Sequence, residues 1–259
     1  MNLAIAGRNA IVCASSRGLG RACATELARA GCRVVINGRD AERLERTRRE
    51  IAEETGTEVI AVAADVSTGE GRAALLGALP HVDILVNNNG GPPPRDFREI
   101  DEAAMMAGLA ANMIAPIRLI QAVIDSMVER RFGRIVNITS SSVKMPLAGL
   151  DLSSGARAGL TGFVAGVART VAHANVTVNN LLPGSFDTDR IAAIVEKQAT
   201  ASGRDPGEIR RAREAAIPAR RFGDPAEFGA ACAFLCSARA GYITGQSLLI
   251  DGGAFPGVM

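Results

Sequence analysis

The sequence predicts an α/β fold, a single-domain doubly wound parallel sheet with helices on both faces. Three observations predict it. Short apolar runs of the kind buried on both sides of a parallel sheet recur along the chain, and amphipathic segments of helical length separate them. No Pro/Ser-rich linker or low-complexity block divides the 259 residues, 47% of which are hydrophobic, enough for one sizeable core.

The strand candidates are residues 10–13, 33–36, 59–62, 84–86, 134–138, 176–178 and 248–250. Helical patterning covers 20–30, 41–55, 101–130 and 152–173, and Gly31 and Gly56 stand where helix-ending glycines belong. The stretch 185–224 reads as irregular, because it is rich in charge and interrupted by Pro206 and Pro218. It comes after a strand whose carboxyl end should face a ligand crevice, so it is expected to act as a mobile substrate lid.

Bulk properties exclude some partners. Lysine plus arginine (29) nearly balance aspartate plus glutamate (27), and a net charge of +2 gives no reason to expect nucleic acid or a membrane surface. Cys13, Cys23, Cys32, Cys232 and Cys236 lie in apolar segments without paired spacing or nearby histidines, which fits buried thiols and no metal. The first residues lack a charged start followed by a long apolar run, and apolar stretches are broken after about 4 to 8 residues. A soluble, cytoplasmic protein is expected.

The chemistry-bearing motifs fall at the carboxyl ends of the predicted strands. Cys13-Ala14-Ser15-Ser16-Arg17-Gly18-Leu19-Gly20 joins the first strand to a helix, where backbone N–H groups can meet a pyrophosphate and Gly18 and Gly20 permit close approach. Alone, that loop is equally a plain strand-to-helix turn. Asp65-Val66 comes after the third strand, where a carboxylate can accept from an adenine amino group. Asn87-Asn88-Asn89-Gly90 comes after the fourth, Pro183-Gly184-Ser185 after the sixth, and Asp251-Gly252-Gly253 closes the last.

In order and spacing these motifs resemble the short-chain dehydrogenase/reductase family, especially its 3-oxoacyl carrier-protein reductase-like members, over nearly the whole chain. The resemblance implies a Rossmann fold and a dinucleotide held by residues 15–20, Asp65, Val66, Asn88, Asn89, Gly90, Pro183, Gly184 and Ser185. The family's first loop glycine is Ala14 here, and its Asn-Asn-Ala-Gly is Asn87-Asn88-Asn89-Gly90. The second strand ends Ile36-Asn37-Gly38-Arg39 with no acid at its tip, so Arg39 and Arg17 either flank a ribose 2′-phosphate or are solvated surface arginines. NADP(H) is the expected cofactor.

Family enzymes use an Asn, a Ser, a Tyr and a Lys. Asn112 matches the asparagine and Ser140 the serine; thirteen residues on stands Ser153, with Arg157 four later on the same helix face. The next residues, Ala158-Gly159-Leu160-Thr161-Gly162-Phe163, resemble those just after the family lysine. Ser153 and Arg157 are therefore expected at the tyrosine and lysine positions. The single tyrosine, Tyr242, lies far away in sequence. A phenol near pKa 10 can be drawn toward neutrality by a cation, whereas a serine hydroxyl is much less acidic. Arg157 keeps a fixed charge that can bond a ribose hydroxyl but does not shuttle a proton as lysine does.

Lys144, four residues after Ser140, is the nearest replacement donor, and Asp151 lies just before the catalytic helix; each is otherwise ordinary loop charge. In the lid, Arg210, Arg211, Arg213, Arg220 and Arg221 suit an anionic or thioester-linked substrate, or else form a solvated face paired with Glu208 and Glu214. The expected function is an oxidoreductase interconverting a small-molecule carbonyl and alcohol. The rival is a non-catalytic NADP-binding sensor or partner subunit. Family resemblance also implies a homotetramer or homodimer through helices 101–130 and 152–173, whose small residues permit close approach.

Overall fold

In the computed structural model, which describes residues 2–257, the seven expected strands form one parallel sheet. They are β1 (Asn9–Val12), β2 (Arg33–Gly38), β3 (Val59–Ala63), β4 (Ile84–Asn87), β5 (Gly133–Ile138), β6 (Val176–Pro183) and β7 (Ser247–Ile250). Their order is β3-β2-β1-β4-β5-β6-β7. Winding reverses between β1 and β4, which opens a crevice at the carboxyl ends of these two strands.

Alternation along each strand feeds two cores. Ala10, Val12, Val34 and Ile36 point to one face, beneath Ala24 and Leu27 of α1 (Gly18–Arg29), Leu44 of α2 (Ala41–Thr55) and Phe228 of the last long helix. Ile11, Val35, Leu85 and Ile135 point to the other, with Leu75 of α3 (Gly69–Leu76) and helices of the second half of the chain. Both faces being covered explains why the strands read as continuous apolar runs.

The predicted helix at 101–130 is two helices, α4 (Glu102–Leu109) and α5 (Ala115–Glu129), joined by a π-helical turn at Ala110–Ile114. Taken together, Glu102–Glu129 is long and apolar enough to cross a membrane by length and composition, which counting uninterrupted apolar runs did not anticipate. Its inner face, Leu119, Ile120, Val123 and Met127, is buried in the second core, as in the core helix of a packed sheet. The other long helix, α6 (Asp151–Val171), buries Ala156, Leu160, Val164 and Ala168, while Gly155, Gly162 and Gly166 face open space and Phe163 is exposed.

The segment 185–224 is not irregular. It holds α7 (Asp189–Ser202) and α8 (Pro206–Ala215), whose Ile191, Val195, Ala199 and Ile209 close over Ile217 and Phe222 as a small separate core. Pro206 occupies the first helical position behind the capping carboxylate of Asp205, where its missing N–H costs nothing. Asp224 and Pro225 start α9 (Pro225–Cys236) the same way, with Glu227 completing a capping box. As expected, Gly31 and Gly56 stand after their helices with positive φ.

A polar ladder crosses this apolar sheet. In register on β4, β5, β6 and β7 lie Asn87, Asn137, Asn180 and Ser247. Asn87 Nδ2 donates to Asn137 Oδ1 at 2.9 Å, Asn137 Nδ2 to Asn180 Oδ1 at 3.1 Å, and Asn180 Nδ2 to Ser247 Oγ at 3.2 Å. Because Asn137 both gives and receives, removing it strands two buried partners. Asn137→Ala is expected to lower unfolding free energy by about 3 kcal/mol. Chemical denaturation measures it, and a loss below about 1 kcal/mol would mean the ladder adds little.

Candidate active site

The loop after β1 is held in an unfavourable backbone conformation. Ala14 has φ 44°, in the region that favours glycine. Two asparagines from neighbouring strands fix it: Asn37 Oδ1 accepts from Ala14 N at 3.2 Å, and Asn88 Nδ2 donates to Ala14 O at 3.1 Å. Ser15 is fully buried, its hydroxyl donating to Val12 O and accepting from Asn37 N, so its side chain supports the loop from below. Gly20 is required by packing, since a Cβ there would meet Ala14 O at 2.4 Å and Asn88 Nδ2 at 2.8 Å. Gly18, at φ 57°, faces Thr188 at the start of the 185–224 segment. Arg17 reaches the same segment, pairing with Asp189 at 3.3 Å.

Across the crevice, a cavity of about 380 Å³ runs from Arg39, Asp65 and Ser67 past Asn89, Gly90 and Gly91 to Asn112, Leu152 and Ser153. Asp65 accepts from both the backbone and the hydroxyl of Ser67, which hold its carboxyl below the usual range, with Arg39 at 3.9 Å adding to the effect. Arg39 is otherwise free in solvent, its side chain 82% exposed. A side chain at Gly90 would meet nothing within 4 Å, so the backbone there is open to a ligand. Val66 is buried in the second core and Leu19 packs against the first, so their side chains serve packing. Gly184 permits the turn after β6 to touch the last strand, because a Cβ would lie 2.7 Å from Asp251 Cα.

A second groove, lined by Ser16, Arg17, Gly18, Arg21, Arg43, Arg46, Thr47, Glu50 and Asp189, lies beside the first loop. Its arginines are paired on the surface, Arg17 with Asp189, Arg21 with Glu50, Arg43 with Asp40 and Arg46 with Glu42. An adenosine end at Asp65 and a phosphorylated ribose near Arg17 and Arg39 fit these donors, as does a pyrophosphate beside Gly18.

At the other end, the π-helical turn places Asn112 against the cavity with Nδ2 donating to Gly108 O at 3.4 Å and Oδ1 buried without a partner. Asn89 Nδ2 ties β4's loop to the same turn through Ala111 O. Ser153 and Arg157 lie one turn apart on α6, 6% and 7% exposed. Arg157 donates Nε to Ser153 Oγ at 3.2 Å, one terminal nitrogen to Ile138 O at 2.7 Å and the other to Asn89 O at 3.3 Å. Burial, and secondarily Arg190, push its pKa down to about 10, which leaves it charged at neutral pH. Since Ser153 Oγ already accepts a hydrogen bond, its own proton is available to the cavity.

The remaining expected residues are less direct. Ser140, at the end of β5, accepts from Ser142 N at 3.1 Å, and Lys144 ends the short turn Ser141–Val143. Neither lines the cavity, so the position of Lys144 gives no support to a proton-donor role. Tyr242 is fully exposed between α9 and β7. Most of the basic cluster resolves into surface pairs: Arg210 with Asp187 and Glu214, Arg221 with Glu227, Arg213 with Gln198, and Arg220 with the carbonyl of Ala215. What sequence reasoning missed is Arg190, whose guanidinium lies against Gly91, and Arg95, which lines the cavity. Arg190 lies in the charge-rich stretch 185–224, and nothing in the sequence set it apart from the arginines that come after it.

These features define a dinucleotide-binding site of the short-chain reductase type, and comparison agrees. The family model described as "Enoyl-(Acyl carrier protein) reductase" matches residues 13–254. The chain is 33% identical over 259 residues to the 3-oxoacyl-[acyl-carrier-protein] reductase FabG of Aquifex aeolicus, covering 98% of this chain and all of that one. It is 32% identical to the NADPH-dependent reductase BacG of Bacillus subtilis, covering 97% and 99% of the two. The L-sorbose reductase of Gluconobacter frateurii, solved with NADPH and L-sorbose, superposes with a TM-score of 0.95 at 28% identity over the whole of both chains. The chain belongs to the short-chain dehydrogenase/reductase family of oxidoreductases, in its 3-oxoacyl carrier-protein reductase-like branch.

Ala14 supplies a test of loop strain. An L-residue at positive φ costs about 1–2 kcal/mol, and glycine's extra unfolded-state freedom returns about 0.4–1 kcal/mol of that. Ala14→Gly should therefore raise stability by about 0.5–1 kcal/mol, and Ala14→Val should lower it. Thermal unfolding of the two variants checks the sign, and a gain with valine would show that the loop is not strained.

Proposed function

We propose that this protein is an NADP(H)-dependent oxidoreductase that interconverts a carbonyl and an alcohol, with Ser153 and Arg157 at the positions where relatives carry tyrosine and lysine. One observation carries the reading: a continuous cavity joins Arg39 and Asp65, fit for the adenosine end of a dinucleotide, to Asn112 and Ser153. FabG, BacG and L-sorbose reductase are reductases by name, and two of them use or bind NADPH. When bound, the nicotinamide supplies the hydride; the chain supplies orientation and charge.

Arg17 and Arg39 hold the 2′-phosphate, and Asp65 with the backbone of Val66 meets the adenine. Gly18, Leu19 and Gly20 offer backbone N–H groups to the pyrophosphate. Asn89, Gly90, the Pro183-Gly184-Ser185 turn and Arg157 surround the nicotinamide ribose. Ser153 donates a hydrogen bond to the substrate oxygen, and Ser140 keeps the family serine position without lining the cavity. Arg157, fixed on Ser153 Oγ, adds permanent positive charge behind that bond as negative charge develops on the substrate oxygen, and water supplies the proton. A 3-oxoacyl thioester or related ketone fits this chemistry.

Cofactor titration tests the phosphate assignment. The wild type should bind NADPH about tenfold or more tightly than NADH, and Arg39→Ala should remove most of the difference, since one charge-assisted bond is worth about 1.5–3 kcal/mol. Equal wild-type affinities would overturn it.

Turnover tests the altered pair. With ketones, 3-oxoacyl thioesters and alcohols, the wild type should show measurable reduction. Ser153→Tyr combined with Arg157→Lys should raise it by about a hundredfold, the lower end of what a positioned general acid contributes, with NADPH affinity retained. A wild type inactive on every substrate, with tight NADPH binding and gain of activity in the double variant, would favour a cofactor-binding partner over an enzyme.

A further inference from the structure

The substrate end of the cavity holds cations with nothing to neutralise them. Around the point where a Cβ of Gly91 would sit, two nitrogens of the Arg190 guanidinium lie at 3.2 and 3.3 Å and Ser153 Oγ at 3.5 Å. The same hydroxyl oxygen is held by Arg157 at 3.2 Å. Two guanidinium groups thus stand close to Ser153, and Arg95 lines the cavity that Gly91 and Ser153 also line.

No carboxylate balances them. The cavity's lining contains one acid, Asp65, at the opposite end and engaged with Ser67 and Arg39. Acids near Arg190 in sequence are committed elsewhere, Asp189 to Arg17 and Asp187 to Arg210. Among the described residues Arg190 and Arg95 have no ion-pair or side-chain hydrogen-bond partner, and Arg157 is satisfied only by neutral oxygens. Fixed cations gathered without counter-charge in a cleft favour an anionic ligand at that place. A guanidinium carries a planar pair of N–H donors, a shape that matches two oxygens of a carboxylate.

We propose that Arg190, beside Gly91 and Ser153, forms a carboxylate subsite, so that the preferred substrate is an oxo acid whose carboxylate lies within a few bonds of the carbonyl held by Ser153. Arg190 is then the residue that sets specificity between an acid and its neutral ester or thioester. This rests on the oxidoreductase reading above. The other anion available to Arg190 is a phosphate of the dinucleotide, and the experiment separates the two.

The test compares short 2-oxo and 3-oxo acids with their methyl esters in the wild type, Arg190→Met and Arg190→Lys, alongside NADPH affinity from the emission of the bound nicotinamide. For the wild type, kcat/KM should favour acid over ester by about tenfold or more, the worth of one charged hydrogen bond. Arg190→Met should abolish that preference mainly through KM, Arg190→Lys should keep part of it, and NADPH affinity should change by less than about twofold. If Arg190→Met instead weakens NADPH by about tenfold and leaves the acid-to-ester ratio unchanged, the guanidinium serves a cofactor phosphate and the proposal is wrong.

Equilibrium binding of the acids to the NADP⁺ complex needs no turnover. Acid binding that is lost in Arg190→Met upholds the subsite even if no carbonyl is reduced, in which case only the oxidoreductase reading fails. Turnover of neutral ketones with no acid binding overturns the subsite and leaves that reading intact.

Discussion

The buried guanidinium of Arg157 is the constraint on which the rest of the site depends. An isolated charge moved out of water costs far more than a fold's net stability, so a buried cation persists only where acceptors saturate it. Arg157 meets a hydroxyl on its own helix and two carbonyls at the ends of neighbouring strands, Ile138 beyond which β5 stops and Asn89 just after β4. A lysine ammonium would be a compact point charge, whereas the guanidinium fork reaches acceptors on three separate segments at once. The cation therefore fixes how far α6 stands from the sheet. It also fixes the hydroxyl of Ser153, whose small size leaves room for the bond along Nε.

That arrangement relies on strand ends that emerge level with one another, which the asparagine ladder secures from beneath. Parallel strands gain little register information from apolar side chains buried on both faces, because a slipped strand would still be apolar on both faces. A row of amides that bond only when aligned discriminates among registers. Asn87, Asn137, Asn180 and Ser247 do this directly under the loops that carry Asn88, Asn89, Ser140 and Pro183. Asn37 plays the same part on the other side of the crevice, holding both the first loop and, through two bonds to Val62 and Ala64 carbonyls, the end of β3. The strain at Ala14 is sustained by these partners.

The strands were legible because burial on both faces leaves a simple mark, a short apolar run between helical segments, and all seven appear. The pair Ser153 and Arg157 was picked out by resemblance, thirteen residues after Ser140 and ahead of a family-like run at 158–163, and spacing of four on a helix puts the two on a shared face. The helices of 185–224 were not, because Pro206 was read as an interruption when its place behind Asp205 makes it a helix start. The basic cluster misled for a different reason. Arg210 and Arg221 cluster in sequence yet are spent on Asp187, Glu214 and Glu227, while Arg190 is left at the site. What a cation does depends on which acids fold against its neighbours, and sequence order carries little of that.

The electrostatics of the cavity bear on how the proposed carbonyl reduction can work with no phenol in the cavity's lining. Hydride addition to a carbonyl places negative charge on oxygen, and a catalyst can meet that charge with a proton or with fixed positive charge. A positioned general acid is worth about 10²–10⁴ in rate, and a single preorganised donor to a developing oxyanion about 10²–10³. The two ranges overlap, so a Ser153 hydroxyl backed by Arg157 is of the size needed to offset much of what a tyrosine would contribute. Its geometry suits that work better than proton transfer: the hydroxyl oxygen accepts from Nε–H and keeps its own proton to give, and the cation behind it carries no proton it will release near neutral pH. In such a site the arginine replaces proton affinity with permanent charge, and the proton itself can arrive from water after the hydride has moved.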